Sequence, residues 1–283
     1  LEPPRFRVGR RGGKTVKFLN HLTLGQYVPT DSPIHHLDPR SKILSTLVLL
    51  SGVFGVEHPV AFAAWGGLLL GICALSRLHL RLVLGAARPV LWLLVFTALL
   101  HLLFTPGVPI LTLGPVDVTR EGVVLASRMG LRLLFLVLFA GLLTLTTSPM
   151  ELADGMERLL SPLARFGFPA HEMAMMMTIA LRFIPTLLDE TDRILKAQLS
   201  RGANLDQGGF LRRIRAFVPV LVPLFVIVFQ RAEDLATAME SRCYRGGVGR
   251  TRMNPLRWGR GETLGLTVSV GVVGALTLLD RWI

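Results

Sequence analysis

Two short stretches of this chain place an arginine where a helix would end, and both place it in the same company. Ala197-Gln198-Leu199-Ser200-Arg201-Gly202 is echoed by Ala238-Met239-Glu240-Ser241-Arg242-Cys243, so Ala-x-x-Ser-Arg is followed each time by a small residue, with a Gly-Gly pair a few positions on. A guanidinium is planar and offers paired N–H donors that match the two oxygens of a carboxylate. Flanked by small residues, it can enter a groove on a partner without its neighbours clashing. The spacing also admits a plainer reading. Each arginine could serve its own helix, its charge set against the negative end of the helix dipole.

Other residues with chemical potential carry weaker signals. Gly12-Gly13-Lys14-Thr15 is close to the end of a phosphate-binding loop, but that loop needs a glycine where Val8 stands and an apolar strand before it. Nucleotide is therefore expected on partners and not on this chain. His35, His36, His58, His101 and His171 are scattered without metal-ligand spacing, so no metal and no cofactor are expected. Asp154, Glu157 and Arg158 read as the solvated side of an amphipathic helix. No acid, base or metal set converges as an active site requires, which predicts no catalytic residue and no enzyme.

Met173, Met175, Met176 and Met177 form a cluster suited either to core packing or to a surface that repacks as helices slide. Arg128 and Arg132, four apart, fall inside an apolar segment where charge is costly. They line a partner interface, or their helix begins in the interfacial layer. A secondary transporter would use them as an anion site, but it would also show paired repeats with broken spans, which the sequence lacks.

The elements that position these residues follow from how the apolar content is distributed. Of 283 residues 51% are hydrophobic and only 18% charged, with a net charge of +12 and a mean hydropathy of +0.52. Apolar residues come in long blocks with the charges between them, as in a chain solvated by lipid. The basic surplus then points to anionic head groups and acidic partners, and not to nucleic acid. Residues 1–40 form a basic tail and a turn-rich approach segment with no apolar core, so no cleavable signal is expected. Cys73 and Cys243 are too differently placed to suggest a disulfide.

Apolar runs at 43–56 and 60–75 suggest a tight helical hairpin turning at Glu57-His58-Pro59, with Lys42 snorkelling at its base. Further spans are expected at 89–104, 123–147 and 263–279, with a loop or short hairpin at 107–117. The fold class is all-α membrane protein with about five transmembrane helices: four within 41–147 and one within 262–283. Basic residues concentrate in the tail, at Arg77, Arg81 and Arg88, and after the fourth span. The positive-inside rule then places the N-terminus in the cytoplasm of a multi-pass protein of the cell (inner) membrane.

Residues 148–261 are more than a loop. Ser148, Pro149 and Glu151 have the types and spacing of a capping box opening a helix over 150–165. A long helix is expected over 171–200, ended by Gly202, with Asp189/Arg193 and Asp192/Lys196 as i,i+4 pairs. A second follows over 210–242, kinked at Pro219 and Pro223. Both arginines thus fall at the ends of long cytoplasmic helices.

From Gly25 onward the chain resembles the transmembrane T component of energy-coupling factor (ECF) transporters, importers of the ATP-binding cassette class. The resemblance is carried by Gly25-Gln26-Tyr27, by Leu37-Asp38-Pro39-Arg40-Ser41-Lys42, by Met175-Met176-Met177-Thr178-Ile179-Ala180-Leu181-Arg182-Phe183-Ile184-Pro185, and by the two Ser-Arg ends. The family's arginine motifs are typically Ala-Arg-Gly; here Ser200 and Ser241 replace the alanine and Cys243 one glycine. The resemblance implies that residues 148–261 hold two coupling helices. It implies that Ser200, Arg201, Gly202, Ser241, Arg242 and Cys243 dock on two ABC ATPase subunits. It further implies a substrate-binding membrane S component for vitamin or metal-ion uptake as a third partner, with Met175, Met176, Met177, Arg182 and Pro185 as candidate partner-interface residues.

Overall fold

The computed structural model describes residues 27–113, 116–203, 209–246 and 258–282. The basic tail expected at the start lies almost wholly outside them. The chain divides into two units, one from residues 25–166 with 252–283 and one containing 167–251.

The first unit holds the helices α1 (Pro39–Phe54), α2 (Pro59–Leu75), α3 (Leu80–Ala86), α4 (Leu91–Phe104), α5 (Arg120–Thr146), α6 (Pro149–Leu160) and α9 (Arg260–Trp282). Between α4 and α5 the expected short hairpin is present, β1 (Pro109–Leu113) antiparallel to β2 (Val116–Thr119). It is the only sheet among the described residues. The core lies where α1, α2 and α5 meet. Trp65 is fully buried and meets Phe139 edge-on at 5.7 Å, and Phe62 stacks on Phe135 at 6.3 Å. Gly52 is needed there, because a Cβ would lie 2.6 Å from Val273 of α9 and 2.9 Å from the Trp65 ring. In contrast, α4 leaves Trp92 and Phe104 largely exposed. That surface suits lipid, since the helix satisfies its own backbone.

Four helical stretches among the described residues are long and apolar enough to cross a membrane: Leu80–Phe104, Arg120–Thr146, Arg215–Ser241 and Arg260–Trp282. Three match spans expected from the sequence. The hairpin differs: α1 and α2 have 16 and 17 residues, about 25 Å each against a hydrocarbon core of roughly 30 Å. The other difference is the stretch 215–241, which meets the length and composition of a span although it was expected in the cytoplasmic part.

Local signals explain the helix starts. Asp38 caps α1 by accepting from the Arg40 amide at 2.9 Å, with Pro39 at the first helical position. The Arg40 side chain returns a fork to the same carboxylate at 2.9 and 3.1 Å, and Ser41 Oγ donates to the Asp38 carbonyl at 2.9 Å. At α6 the capping box between Ser148 and Glu151 forms as expected. A 3-10 turn, Ser161–Phe166, continues that helix.

The second unit is an antiparallel pair of long helices, α7 (Ala170–Ser200) and α8 (Phe210–Ser241). Ile179, Phe183 and Leu187, one helical stripe, line a groove of about 250 Å³ with Val228, Ala232, Leu235 and Met239 of α8. Of the two expected ion pairs on α7, Lys196 does pair with Asp192. Arg193 instead meets Glu190 at 3.8 Å, one turn back on the same face.

Candidate functional site

The two arginine-bearing ends have one shared geometry. Arg201 is the C-cap of α7 at φ −84°, ψ 4°, and Arg242 the C-cap of α8 at φ −91°, ψ 14°. After each, the chain turns left-handed, at Gly202 (φ 84°) and Cys243 (φ 55°). The amide of Gly202 donates to Leu199 and that of Ala203 to Gln198, both at 3.0 Å. The amides of Cys243 and Tyr244 repeat this pattern on Glu240 (2.8 Å) and Met239 (3.0 Å). Both ends are therefore Schellman motifs, in which backbone amides close the orphan carbonyls.

Backbone amides satisfy the carbonyls at each end, so neither guanidinium is needed as a hydrogen-bonding cap, although its charge still lies at the negative end of the helix dipole. Arg201 and Arg242 are exposed, and among the described residues neither guanidinium has a hydrogen bond or ion pair within the chain. The serines behave otherwise. Ser200 Oγ donates to Lys196 at 2.9 Å and Ser241 Oγ to Ala238 at 3.0 Å. Their hydroxyls are held by their own helices and leave each arginine as the group that projects.

Because α7 and α8 run antiparallel, Gln198 touches Pro219 while Ile179 lies across from Met239. The two tips thus sit at opposite ends of the pair. With a rise of 1.5 Å per residue their separation is on the order of 40 Å. The two guanidiniums are thus too far apart to enter one narrow groove together.

The candidate partner-interface residues all fall on α7. Met176 and Met177 are more than half exposed, Met175 is half-buried, and Arg182 and Pro185 are exposed. On α8, Leu221, Val222, Phe225 and Phe229 are exposed as well. The unit therefore presents methionine on one helix and large apolar side chains on the other.

Arg132 has a structural task. Its Nη2 donates to the Val56 carbonyl at 2.8 Å and its Nη1 approaches Met129 Sδ at 3.8 Å. An anion site built on Arg132 would compete with that bond. Asp280 on α9, a residue the sequence reading did not single out, accepts from the Glu57 amide at 3.0 Å and the His58 amide at 2.8 Å. A carboxylate near the end of an apolar helix was the available signal.

Lys42 does not snorkel to the surface as expected. It is buried, and its Nζ donates to the carbonyls of His35 at 2.8 Å and Thr146 at 3.2 Å. The second is a carbonyl of the last turn of α5, where positive charge is favourable. Its stem lines a largely apolar cavity of about 370 Å³ among α1, α2, α5 and α9. In the approach segment, Ser32 Oγ lies 2.7 Å from His35 Nδ1. Burial, assisted by the Lys42 charge, holds the His35 pKa below its ordinary value. Among the described residues no group of three histidine, cysteine or acidic side chains could hold a metal ion.

Comparison with known proteins places these features in context. Residues 30–254 match the family model CbiQ, described as cobalt transport protein. The chain is 70% identical over 258 residues to the energy-coupling factor transporter transmembrane protein EcfT of Thermanaerovibrio acidaminovorans, covering 91% of this chain and 96% of that protein. The proteins of the same name from Acidaminococcus fermentans and Bacillus subtilis are 47% and 43% identical, each over 264 residues, 93% of this chain and 98% and 99% of theirs.

Proposed function

The chain belongs to the CbiQ family of cobalt transport proteins and is the transmembrane subunit of an ECF transporter; on that premise we propose that Arg201 and Arg242 each dock in a groove of a separate ATPase subunit. The observation that carries this reading is the pair of matching Schellman ends, with projecting guanidiniums at opposite ends of one antiparallel pair. Each ATPase grips one tip through carboxylates. When ATP closes the two ATPases, the tips are displaced and α7 and α8 move with them.

The motion is passed to a substrate-binding S component in the membrane. Met176 and Met177 on α7 and the apolar face of α8 supply a surface that such a partner can slide across, methionine being able to repack without loss of contact. Residues 148–261 act as the cytoplasmic coupling segment, with α8 lying against the membrane and the S component, which accounts for its apolar composition. The N-terminus is cytoplasmic. The chain is not an enzyme; hydrolysis belongs to the ATPases, and the substrate, a vitamin or metal ion, is held by the S component.

Copurification tests the assembly. The chain isolated from its native membrane should bring down two ATPase subunits and one small hydrophobic protein. Transport by the chain alone in liposomes would overturn the reading.

A further inference from the structure

Proline has no amide proton, so Pro223 cannot donate to the carbonyl four residues before it, that of Pro219. Within α8 this carbonyl has lost its helical donor. Gln198 of α7 supplies one: its Nε2 donates to the Pro219 carbonyl at 3.2 Å. Gln198 also has a second task. Its own carbonyl accepts from the Ala203 amide at 3.0 Å and the Arg201 amide at 3.1 Å, inside the motif that shapes the Arg201 tip. One residue therefore joins the tip of α7 to the gap that Pro223 leaves in the hydrogen bonding of α8, which stays helical from Phe210 to Ser241.

We propose that Gln198 is a positioning residue that fixes the bend of α8 at its prolines by replacing the hydrogen bond Pro223 removes, and so relays displacement of the Arg201 tip into α8. The relay rests on the coupling role proposed above; the tie does not. A bend without a donor on its open carbonyl is a hinge, because solvent and alternative kink angles compete for that group. With the glutamine amide seated, the angle is set by where α7 stands. Glutamine suits the task, since its amide reaches a neighbouring helix and carries no charge to desolvate.

The test measures the bend of α8 by pulsed electron paramagnetic resonance. Nitroxides are placed by Arg215→Cys and Thr237→Cys, both exposed positions on either side of the bend, about 33 Å apart along the helix. The natural cysteines are removed as Cys73→Ala and Cys243→Gly. In the full chain in nanodiscs the labelled parent gives a narrow distance distribution. Gln198→Leu widens it by about twofold, as expected of a released kink. Adding Pro223→Ala to Gln198→Leu restores the amide donor and narrows it again. A Gln198→Leu distribution as narrow as the parent's, or a double variant as wide as the single, overturns the tie.

A second arm adds the bound ATPases. ATP should shift the mean distance in the parent and leave it unmoved in Gln198→Leu; an equal shift in both overturns the relay. If the ATPases do not bind the parent, the coupling role itself has failed and the relay falls with it, while the first arm still decides the tie.

Discussion

Arg132 and Asp280 hold opposite poles of a single peptide group. The Val56 carbonyl accepts from the Arg132 guanidinium at 2.8 Å, and the Glu57 amide, the other end of that same peptide, donates to the Asp280 carboxylate at 3.0 Å. The turn between α1 and α2 is thereby fastened to α5 and α9 by opposite charges. A peptide polarised at both ends binds each partner more strongly than it would alone. This explains how a hairpin of short helices keeps its place among longer ones.

That clasp predicts non-additivity. Arg132→Gln and Asp280→Asn should each lower stability by about 1–3 kcal/mol, and the double variant by less than their sum, with a coupling of about 1 kcal/mol. Thermal unfolding of the four chains in detergent measures it. Simple additivity would mean that the two residues act separately.

The two helix ends differ in one respect, and the difference predicts a gain. Cys243 holds a left-handed backbone that glycine holds at Gly202. Cys243→Gly should stabilise the α8 end by about 1 kcal/mol, and Gly202→Ala should cost about as much at the α7 end. Hydrogen exchange at the amides of residues 243–244 and 202–203 reports each change.

Lys42 predicts a loss from inside the fold. Lys42→Ala leaves the His35 and Thr146 carbonyls without their donor and should cost about 2–3 kcal/mol. Lys42→Met fills the space but not the bonds, and should fall in between. Guanidinium unfolding followed by tryptophan fluorescence, with Trp65 in the nearby core, checks the order.

The approach segment should respond to acid. His35 is held neutral by burial first and by the Lys42 charge second. A depressed folded-state pKa means that the unfolded segment binds the proton more readily, so stability is complete above about pH 6.5 and is lost as pH falls below it. Limited proteolysis within residues 28–37 should quicken between pH 7.5 and pH 5 in the parent. His35→Gln should remove most of that pH dependence.

Much of this architecture was legible in the residues. The capping box at Ser148 and Glu151, the two long helices and the turn at Glu57-His58 are written in local patterns, and each formed where the pattern placed it. Contacts between distant segments were not legible. Nothing near Gln198 announces that its amide meets the carbonyl a proline leaves open some twenty residues on, and nothing near Asp280 names the turn it caps. Lys42 looked like a residue reaching for water, because its flank is polar; only the packed fold shows two carbonyls waiting inside. The arginines themselves were found from spacing. That backbone amides close both helix ends needed the bonds of Gly202, Ala203, Cys243 and Tyr244.

The central claim is that each arginine tip is held by its own ATPase. The direct measurement is the number of ATPase subunits retained per chain in detergent after Arg201→Glu, Arg242→Glu and both together. Reversing a charge that is buried on docking costs at least the ~3–5 kcal/mol of leaving its partner carboxylate unpaired. The account predicts two ATPases on the parent, destabilised binding in either single variant and none in the double. Two ATPases still bound to the double variant would contradict it.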